Sequence, residues 1–230
     1  MEYSYLKPKA YMVVEPTPAP EFKGQFNDAM ELIGYCARVS NPANQFNSET
    51  AEKLIRYLIK HKHWSPLEMC SVTIGISTTR DIARQILRHR SFSFQEFSQR
   101  YADPDSLDDT SVLREARLQD QKNRQNSVEC NDDDLKKAWA MKQVQIIHEA
   151  QLAYKWAIDK GIAKEQARAV LPEGLTMSHI YMNGTLRSWV HFIELRSGNG
   201  TQKEHMEVAR CVAHAISRIF PMAEEFIQYG

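Results

Sequence analysis

The segment RHRSFSFQEFSQRY, residues 88–101, gathers side chains of several chemical types into fourteen positions. In its second half, Glu96, Ser98 and Arg100 alternate along a stretch predicted to be extended, so we expect their side chains to project from one face. A carboxylate, a hydroxyl and a guanidinium on one face could together bind an anionic ligand. From composition alone, a ligand pocket and a structural ion-pair network both fit this pattern.

The same segment also fits a surface that binds single-stranded nucleic acid, with arginines supplying charge and phenylalanines stacking on bases. The side chains concerned are Arg88, Arg90, Phe92, Phe94 and Phe97. Such a surface usually goes with a clear basic excess. Because the chain has 29 Lys+Arg against 29 Asp+Glu, and so no formal net charge, we expect no nucleic-acid partner.

A later segment, TLRSWVHFIELR, residues 185–196, carries a second group of candidates. A helix here would place Arg187, His191 and Glu194 on one face, with Arg196 at its end. A polar helix face is usually only solvated, so this group alone does not indicate a ligand.

Motifs for several other chemistries are absent from the sequence. There is no GxGxxG or GxxxxGK[ST] phosphate loop, no GxSxG elbow, and no HExxH or paired Cys/His set. The cysteines are widely spaced without a CxxC pair, which is typical of reduced thiols in a cytosolic protein; they are Cys36, Cys70, Cys130 and Cys211. We therefore expect no bound metal.

The start of the chain and its hydropathy favour a cytoplasmic location. The residues MEYSYLKPKAYMVVEP lack the basic region and apolar stretch of a signal peptide. No run approaches the ~18 apolar residues that cross a bilayer. With 43% hydrophobic and 25% charged residues, the composition is that of a soluble globular protein, and we expect no membrane partner.

The elements that must position these candidates are mostly helices, with strands that do not form a regular βαβ array, so the predicted class is α+β. The 230 residues could form one large or two small domains; we predict one, 1–230, with a polar excursion over about 102–131. The predicted strands are 10–15, 68–78 and 175–183, and the predicted helices are 21–36, 49–62, 78–90, 132–161, 163–170, 185–196 and 201–220.

Local signals predict where some of these helices begin and which sides they bury. Ser48 and Thr185 are plausible N-caps, and Thr201-x-x-Glu204 matches a capping box. The apolar stripe of the longest helix is Ile146, Ile147, Ala150, Tyr154, Ala157 and Ile158, and that of the last helix is Val208, Cys211, Val212, Ala215 and Ile219.

The chain resembles the flavin-dependent thymidylate synthases. Their signature, Arg-His-Arg followed after seven residues by Ser, matches residues 88–90 and Ser98. HWSPLEM, ARAVLP, TLRSWVHFIELR and TQKEHMEVA resemble further blocks of that family, in its order, so the resemblance covers about residues 35–100 and 165–220. It departs at Gln95 and Thr185, where Asn is usual.

The resemblance implies a fold with a central sheet flanked by helices, assembled as a homotetramer with active sites between subunits. It implies reductive methylation of dUMP to dTMP, with methylenetetrahydrofolate as carbon donor and FAD, reduced by NADPH, as hydride source. A flavoprotein of the same fold that acts on another nucleotide is the alternative.

The resemblance also assigns roles to individual residues. Those implied for dUMP are Gln85, Arg88, Glu96, Ser98, Gln99, Arg100, Arg168 and Arg196. Those implied for FAD are Ser65, Arg88, His89, Arg90, Glu96, Thr185, Leu186, Arg187 and His191. Fixed guanidinium forks suit a flavin pyrophosphate and a nucleotide phosphate.

Arg196 and Ser98 are the residues predicted to serve the chemistry. Arg196 would contact the pyrimidine near N3 and O4 and stabilise negative charge on the ring. Ser98 could in principle be a nucleophile, but no His or Lys lies near it in sequence to activate it, so we expect it to bind and orient the nucleotide. No cysteine lies in the Pro-Cys-His context of the thiolate-dependent thymidylate synthases.

Overall fold

The computed structural model describes residues 3–102 and 110–229. Its strands are β1 (Lys9–Val14), β2 (Ser71–Thr79), β3 (Ser93–Glu96), β4 (Arg117–Gln119), β5 (Ser127–Glu129) and β6 (Met177–Thr185). Its α-helices are α1 (Ala29–Ala37), α2 (Ala51–Lys60), α3 (Arg80–Ile86), α4 (Asp133–Asp159), α5 (Lys164–Ala167), α6 (Leu186–Ser197) and α7 (Lys203–Ser217). Short 3-10 helices span Pro20–Phe22, Pro42–Asn44, Ser65–Met69, Arg168–Val170 and Pro221–Phe226. The predicted α+β class is confirmed.

The central sheet is antiparallel, with strand order β1-β2-β6-β3. β2 and β6 pair along their full length, so that Ser71 lies opposite Thr185 and Thr79 opposite Met177. The sheet therefore has a Thr185 end, where α6 begins, and a Met177 end, where α3 begins.

One face of the sheet forms the floor of the hydrophobic core. Val72, Ile74 and Ile76 of β2 are fully buried, as are Ile180 and Met182 of β6. Side chains from α1, α2, α3, α6 and α7 cover this face and complete the same core. The alternation predicted for β2 is thus confirmed, because every second side chain faces the helices.

Two glycines let aromatic rings lie against the sheet. A Cβ on Gly184 would lie 2.4 Å from the Phe92 ring, and a Cβ on Gly75 would lie 2.6 Å from the Tyr11 ring. Any larger residue at either position would displace the ring, so both strands need glycine there. Phe92 is consequently held on the core side, with its ring centroid 4.6 Å from that of Trp189.

The helix predicted over 21–36 is wrong in its first half, since α1 begins only at Ala29. Asp28 is the N-cap, and its side chain accepts the backbone N–H of Glu31 at 2.9 Å. Gly24 has a φ of 76°, a left-handed conformation that interrupts the chain ahead of the helix.

Two further helix starts differ from the predictions. α2 begins after Thr50, so Ser48 is not its N-cap. The helix predicted from residue 78 starts two residues later, because β2 continues through Thr79 in its pairing with Met177. Both shifts are of the size expected where strand pairing or a turn competes with helix formation.

The N-cap predicted at Thr185 is confirmed, since its side chain accepts a backbone N–H in the first turn of α6. The capping box predicted from Thr201 to Glu204 is wrong. α7 begins after Gln202, whose side chain makes no cap hydrogen bond. The Thr201 N–H donates to Gly198 O instead of the Glu204 carboxylate, which binds Arg117 at 2.5 Å, because an ion pair competes for it.

The excursion predicted over 102–131 contains folded structure in its described part, 110–131. β4 and β5 form an antiparallel hairpin, and Val112 and Leu113 are buried. Such short segments carry too little periodicity to be recognised in a sequence. Residues 103–109 of that prediction lie outside the described residues.

The two long helices bury most of the predicted stripes. The buried residues of α4 are Gln143, Ile147, Ala150, Tyr154 and Ala157, whereas Ile146, predicted in the stripe, is 49% exposed. The buried residues of α7 are Glu204, His205, Val208, Ala209, Val212, Ala213 and Ile216, whereas Cys211, Ala215 and Ile219 are only half-buried. Among the described helices, none combines the length and the hydropathy needed to cross a membrane.

Candidate active site

Arg196, in the last turn of α6, lies against the histidine of the Arg-His-Arg segment. Its Nε–H donates to His89 Nε2 at 2.9 Å. The His89 ring packs edge-on against Phe192, with centroids 5.0 Å apart, and its centroid is 6.3 Å from that of His205 on α7. A residue that follows α3 is therefore connected directly to α6 and α7.

Gln85, on the last turn of α3, extends this group towards α7. Its Nε2–H donates to Gln202 Oε1 at 2.9 Å, and its Oε1 lies 3.3 Å from His205 Nδ1. We call Gln85, His89, Arg196, Gln202 and His205 the Arg196 cluster.

The electrostatics of the Arg196 cluster keep its histidines neutral. Burial lowers the pKa of His89 to about 4, and the positive charge of Arg196 adds to the effect. Burial lowers the pKa of His205 to about 3, again reinforced by Arg196. At neutral pH, His89 therefore accepts at Nε2 and carries its proton on Nδ1, and Arg196 is the single cation of the cluster.

A second polar group lies at the Met177 end of the sheet, on the core side. Glu96 ends β3, and its Oε1 accepts a hydrogen bond from Ser178 Oγ at 2.9 Å. Arg80 Nη1 lies 3.7 Å from the same oxygen, and Arg168 is close enough to Arg80 for its charge to lower the Arg80 pKa. We call these four residues, together with the buried Gln99 three positions after Glu96, the Glu96 cluster; its members are Arg80, Glu96, Gln99, Arg168 and Ser178.

The Glu96 cluster contains buried donors whose hydrogen-bonding capacity is unused. Arg80 is 8% exposed and Gln99 is 2% exposed. Arg80 Nη1 and Gln99 Nε2 are buried and have no hydrogen-bond acceptor within residues 3–102 and 110–229. Burial lowers the Arg80 pKa, and the Glu96 charge only partly offsets this. Buried donors without partners are costly, so the cluster suits an anionic ligand.

Ser98 and Arg100 do not continue the face of Glu96, and the prediction that the three side chains share one face is wrong. The Phe97 N–H still pairs with His179 O, but the backbone N–H groups of Tyr101 and Ala102 both donate to Ser98 O. The chain therefore turns after Phe97.

This turn decides what the side chains of Ser98 and Arg100 contact. Arg100 is exposed, and its Nε lies 3.6 Å from a Glu165 carboxylate oxygen. The Ser98 hydroxyl accepts the Arg100 backbone N–H at 3.4 Å, a long and weak contact. Both side chains are thus available at the surface beside the Glu96 cluster.

The residues implied for FAD lie mainly at the Thr185 end. Ser65 is exposed at the start of its 3-10 helix, which packs against α6. Arg187 forms an ion pair with Glu68 of that 3-10 helix, and His191 is exposed one turn further along α6. Leu186 is fully buried, so its side chain is not available to a ligand.

Arg88 and Arg90 lie between these groups, in the turn between α3 and β3. Both are exposed, and neither forms an ion pair with another residue in the described part of the chain. The His89 side chain points inwards between them, towards Arg196. Two guanidinium groups therefore face solvent without a carboxylate to neutralise them.

One protomer does not bring all the predicted ligand residues together. Glu96 lies opposite Ile180 on β6, whereas Arg187 follows Thr185. The five residue steps from Ile180 to Thr185 span about 16 Å at roughly 3.3 Å each. The Glu96 cluster is therefore separated along the sheet from the Thr185 end.

The phenylalanines of residues 88–101 do not form a stacking platform for nucleic acid. Phe92 and Phe94 are half-buried and pack against the hydrophobic core. The Phe92 ring packs between Gly184 and the Trp189 ring. Two of the three rings are therefore packed against the core and not free to stack on bases.

Sequence reasoning missed four residues of the two clusters. Arg80 could have been found, because an arginine at a strand-to-helix junction is unusual after an apolar strand. Ser178, Gln202 and His205 carry no sequence signal, since their roles depend on contacts with residues more than 80 positions away. Within the described residues, no group of three or more His, Cys, Asp or Glu side chains is arranged to hold a metal ion.

The chain is similar to proteins of known family. The sequence model of the family described as thymidylate synthase complementing protein matches residues 24–222. A probable flavin-dependent thymidylate synthase of Paramecium bursaria Chlorella virus 1 is 50% identical over 195 residues, which cover 85% of this chain and 88% of the viral protein. The flavin-dependent thymidylate synthase of Synechocystis is 44% identical over 198 residues, covering 86% of this chain and 89% of that protein.

A solved structure shows the same fold. The UMP/dUMP methylase PolB from Streptomyces cacaoi, bound with 5-Br dUMP, superposes with a TM-score of 0.80. The match covers 98% of this chain and 96% of PolB, with 24% sequence identity. At this identity the likeness is one of fold.

Proposed function

The chain belongs to the flavin-dependent thymidylate synthase family, and from this premise we propose that it methylates dUMP to dTMP. Methylenetetrahydrofolate would be the carbon donor and NADPH the electron source. The observation that carries the proposal is the hydrogen bond from Arg196 to a neutral His89. This hydrogen bond holds the Arg196 guanidinium in place beside a neutral ring, so that its positive charge is not neutralised by the residue that positions it.

Arg196 is the residue that would act on the pyrimidine ring. Methylation at C5 requires negative charge to build up on the uracil, and a positioned cation stabilises that charge most in the transition state. Because Arg196 Nε is already bound to His89, the orientation of its planar fork is fixed, and its remaining N–H groups are free to face a ligand.

The Glu96 cluster would bind the nucleotide phosphate. Arg80 Nη1 and Gln99 Nε2 are buried donors without acceptors in the described part of the chain, and phosphate oxygens would satisfy both. Ser98 and Arg100, which closely follow Glu96 in the chain, and Arg168, whose charge acts on Arg80, would add further donors. Ser98 would orient the nucleotide rather than attack it, since within residues 3–102 and 110–229 its hydroxyl contacts the Arg100 backbone N–H and no basic side chain that could activate it.

FAD, when bound, supplies the hydride that completes the methyl group. The chain fits this cofactor because Arg88 and Arg90 present two exposed, uncompensated guanidinium forks suited to a pyrophosphate. Ser65, Arg187 and His191 would extend the same site along α6. The hydroxyl of Thr185 is occupied as an N-cap, so its contribution would be to begin α6 at the correct place.

A thiolate mechanism is disfavoured by the state of the cysteines. Burial raises the pKa of Cys70 to about 12, and it also raises the pKa of Cys36 and Cys211. A catalytic cysteine needs the opposite shift. All four cysteines are free thiols, which suits a reducing compartment, and we propose a cytoplasmic location.

We also propose that the active enzyme is a homotetramer of single-domain protomers. One core draws residues from Ala29 to Ala223, which supports a single domain for 1–230. The long helix α4 exposes large apolar side chains, among them Trp139, Leu152 and Trp156. Trp139 and Leu152 are thirteen residues apart, a rotation of about 220°, so more than one side of α4 is suited to a partner.

An oligomer would also account for the separation of the ligand residues. In one protomer, the Glu96 cluster and the Thr185 end lie apart along the sheet. If the active sites lie between subunits, the Glu96 cluster of one protomer would meet Arg88, Arg90 and Arg196 of another.

The test is to purify the protein, record its absorbance spectrum, and incubate it with dUMP, methylenetetrahydrofolate and NADPH. We expect a yellow protein and formation of dTMP that stops when any one substrate is omitted. A colourless protein that binds single-stranded nucleic acid would contradict the proposal. A flavoprotein that methylates UMP or another nucleotide but not dUMP would favour the alternative substrate.

A further inference from the structure

His205 is a buried histidine that the proposed chemistry does not use. It lies on α7 with no solvent exposure, packed against the rings of His89 and Phe192. Its Nδ1 lies 3.3 Å from Gln85 Oε1. Its Nε2 is buried and has no hydrogen-bond partner among the described residues. A polar ring in the core therefore makes one specific polar contact, through one nitrogen.

That contact is the end of a chain of hydrogen bonds that starts at a buried carboxylate. Glu204 is 6% exposed and is held between Arg117, at 2.5 Å, and Arg114, at 3.2 Å. Its Oε2 accepts the Nε2–H of Gln202 at 2.9 Å. Burial and the two arginines act on its pKa in opposite directions, and the net effect is a lowered value, so the group is ionised at neutral pH.

The ionised carboxylate fixes the direction of every bond that follows. A carboxylate can only accept, so Gln202 must donate to it with Nε2 and present Oε1 on the other side. Gln202 Oε1 then accepts from Gln85 Nε2 at 2.9 Å, which leaves Gln85 Oε1 directed at His205. His205 must therefore donate a hydrogen bond to this oxygen, with its proton on Nδ1.

We propose that His205 and Gln202 are positioning residues that hold the Gln85 carboxamide in a single orientation for the nucleotide. A freely rotating carboxamide could exchange the positions of its N–H donor and its oxygen acceptor. The series of hydrogen bonds from Glu204 to His205 allows only one of these two orientations of Gln85. The second N–H and the second lone pair of Gln85 then remain for the ligand. This inference rests on the proposed function, in which Gln85 contacts dUMP.

The competing explanation is that His205 only fills space in the core. The two explanations differ in which ring nitrogen matters. The amide nitrogen of Asn occupies about the place of histidine Nδ1, whereas that of Gln reaches about the place of Nε2. A positioning role predicts that His205→Asn retains function and that His205→Gln does not. A packing role predicts that the larger Gln is tolerated at least as well as Asn.

The experiment measures dUMP binding to the FAD-loaded protein by titration calorimetry, together with kcat and KM. We expect His205→Leu and His205→Gln to bind dUMP about tenfold more weakly, because an amide oxygen loses its donor. His205→Asn should stay within about twofold of the wild type. KM should follow the binding constant, and kcat should change less, because Gln85 binds the nucleotide rather than the developing charge.

Two further variants separate positioning from damage to the core. Gln202 is exposed, and its side chain makes no cap hydrogen bond to α7, so Gln202→Ala should fold normally. The variant should nevertheless weaken dUMP binding about threefold or more. In a Gln85→Ala background, His205→Leu should cause no further loss, because the two act through one contact. His214→Asn, which alters an exposed histidine of α7 remote from the cluster, is the matched control.

The outcomes are distinct. If the wild type binds dUMP but His205→Leu and Gln202→Ala bind it equally well, the inference is wrong and the proposed function stands. If His205→Leu does not fold, Gln202→Ala alone decides. If the wild type does not bind dUMP at all, the proposed function fails and the inference falls with it.

Discussion

The Arg196 cluster and the Glu96 cluster both hold arginine beside the core, but they do so in opposite ways. In the Arg196 cluster, the two histidines stay neutral and each side chain has a partner within the protein. In the Glu96 cluster, Glu96 forms an ion pair with Arg80, and buried donors of Arg80 and Gln99 have no acceptor within residues 3–102 and 110–229. Apart from the buried Nε2 of His205, the first group is joined by hydrogen bonds within the protein before a ligand binds, whereas the second leaves a buried guanidinium donor and a buried amide donor for an anion.

This difference suggests a division of labour. A group that must stabilise charge in a transition state gains from being fixed in advance, since no reorganisation is then needed during the reaction. A group that must bind a phosphate gains from unsatisfied donors, which favour the bound state over the free one. The predictions that follow test whether the two clusters differ in this way.

The largest effect should come from Arg196→Lys, which keeps the charge but loses the planar fork and its contact with His89. The nucleotide-dependent step should fall by a factor on the order of a hundred or more, nearly as much as in Arg196→Ala. Reduction of bound FAD by NADPH without dUMP should be almost unchanged. Stopped-flow measurement of both half-reactions checks this; equal damage to both would show that Arg196 supports the flavin or the fold.

Arg80→Met should separate binding from stability in the Glu96 cluster. The variant removes a buried cation with an unused donor but leaves Glu96 without its charge partner, so the free energy of unfolding of the ligand-free protein should fall by up to about 3 kcal/mol while the fold is retained. Affinity for dUMP should nevertheless fall roughly ten- to a hundredfold, as a charge-assisted bond is lost. Calorimetry and urea unfolding measure the two quantities.

Arg84→Met is the matched control for Arg80, since Arg84 is exposed on the same helix and pairs with Glu173. It should leave dUMP affinity unchanged. If Arg80→Met bound dUMP normally while its stability collapsed, Arg80 would be a structural ion-pair residue, and the contrast between the clusters would be lost.

Because His89 and His205 are held neutral, the free energy of unfolding of the protein should decrease at acidic pH. Both histidines have a pKa in the folded protein below their ordinary value of 6.5, about 4 for His89 and about 3 for His205. Between these values and 6.5 the unfolded chain binds more protons, so stability is complete above pH 6.5 and is lost as the pH falls. At pH 5 the loss from His205 alone would be at most about 2 kcal/mol.

Urea unfolding at pH 7.5 and pH 5.0 measures this acid loss. His205→Asn removes one titrating ring and should reduce the loss. An unchanged pH dependence in that variant would mean that His205 is not held neutral by the core.

The sequence predicts part of this arrangement and not the rest. Helical periodicity and the Thr185 cap locate α6, and strict alternation locates β2, because both signals are local. The paired position of Glu96 and the turn after Phe97 depend on β6, about 80 residues away, so an extended segment through Arg100 was a reasonable but wrong expectation.

The same limit applies to the partners of the candidate residues. The Arg-His-Arg segment is visible in the sequence, but nothing near it shows that His89 turns inwards to Arg196 while its neighbours face solvent. Likewise Glu204 is drawn to Arg114 and Arg117 rather than to a capping box, because the buried ion pairs outweigh one backbone contact. In both places a long-range contact with an arginine, a hydrogen bond to the neutral His89 and ion pairs to Glu204, decides the arrangement over the local pattern.

We propose that the two clusters serve one active site to which different protomers contribute. The most direct test is to mix Arg80→Met and Arg196→Ala variants, each nearly inactive at low dUMP, after mild dissociation and reassembly. If each site takes the Glu96 cluster from one subunit and Arg196 from another, random mixing should restore about a quarter of the wild-type activity. Activity no greater than that of the two variants assayed separately, or a fully active monomer in sedimentation, would contradict the claim.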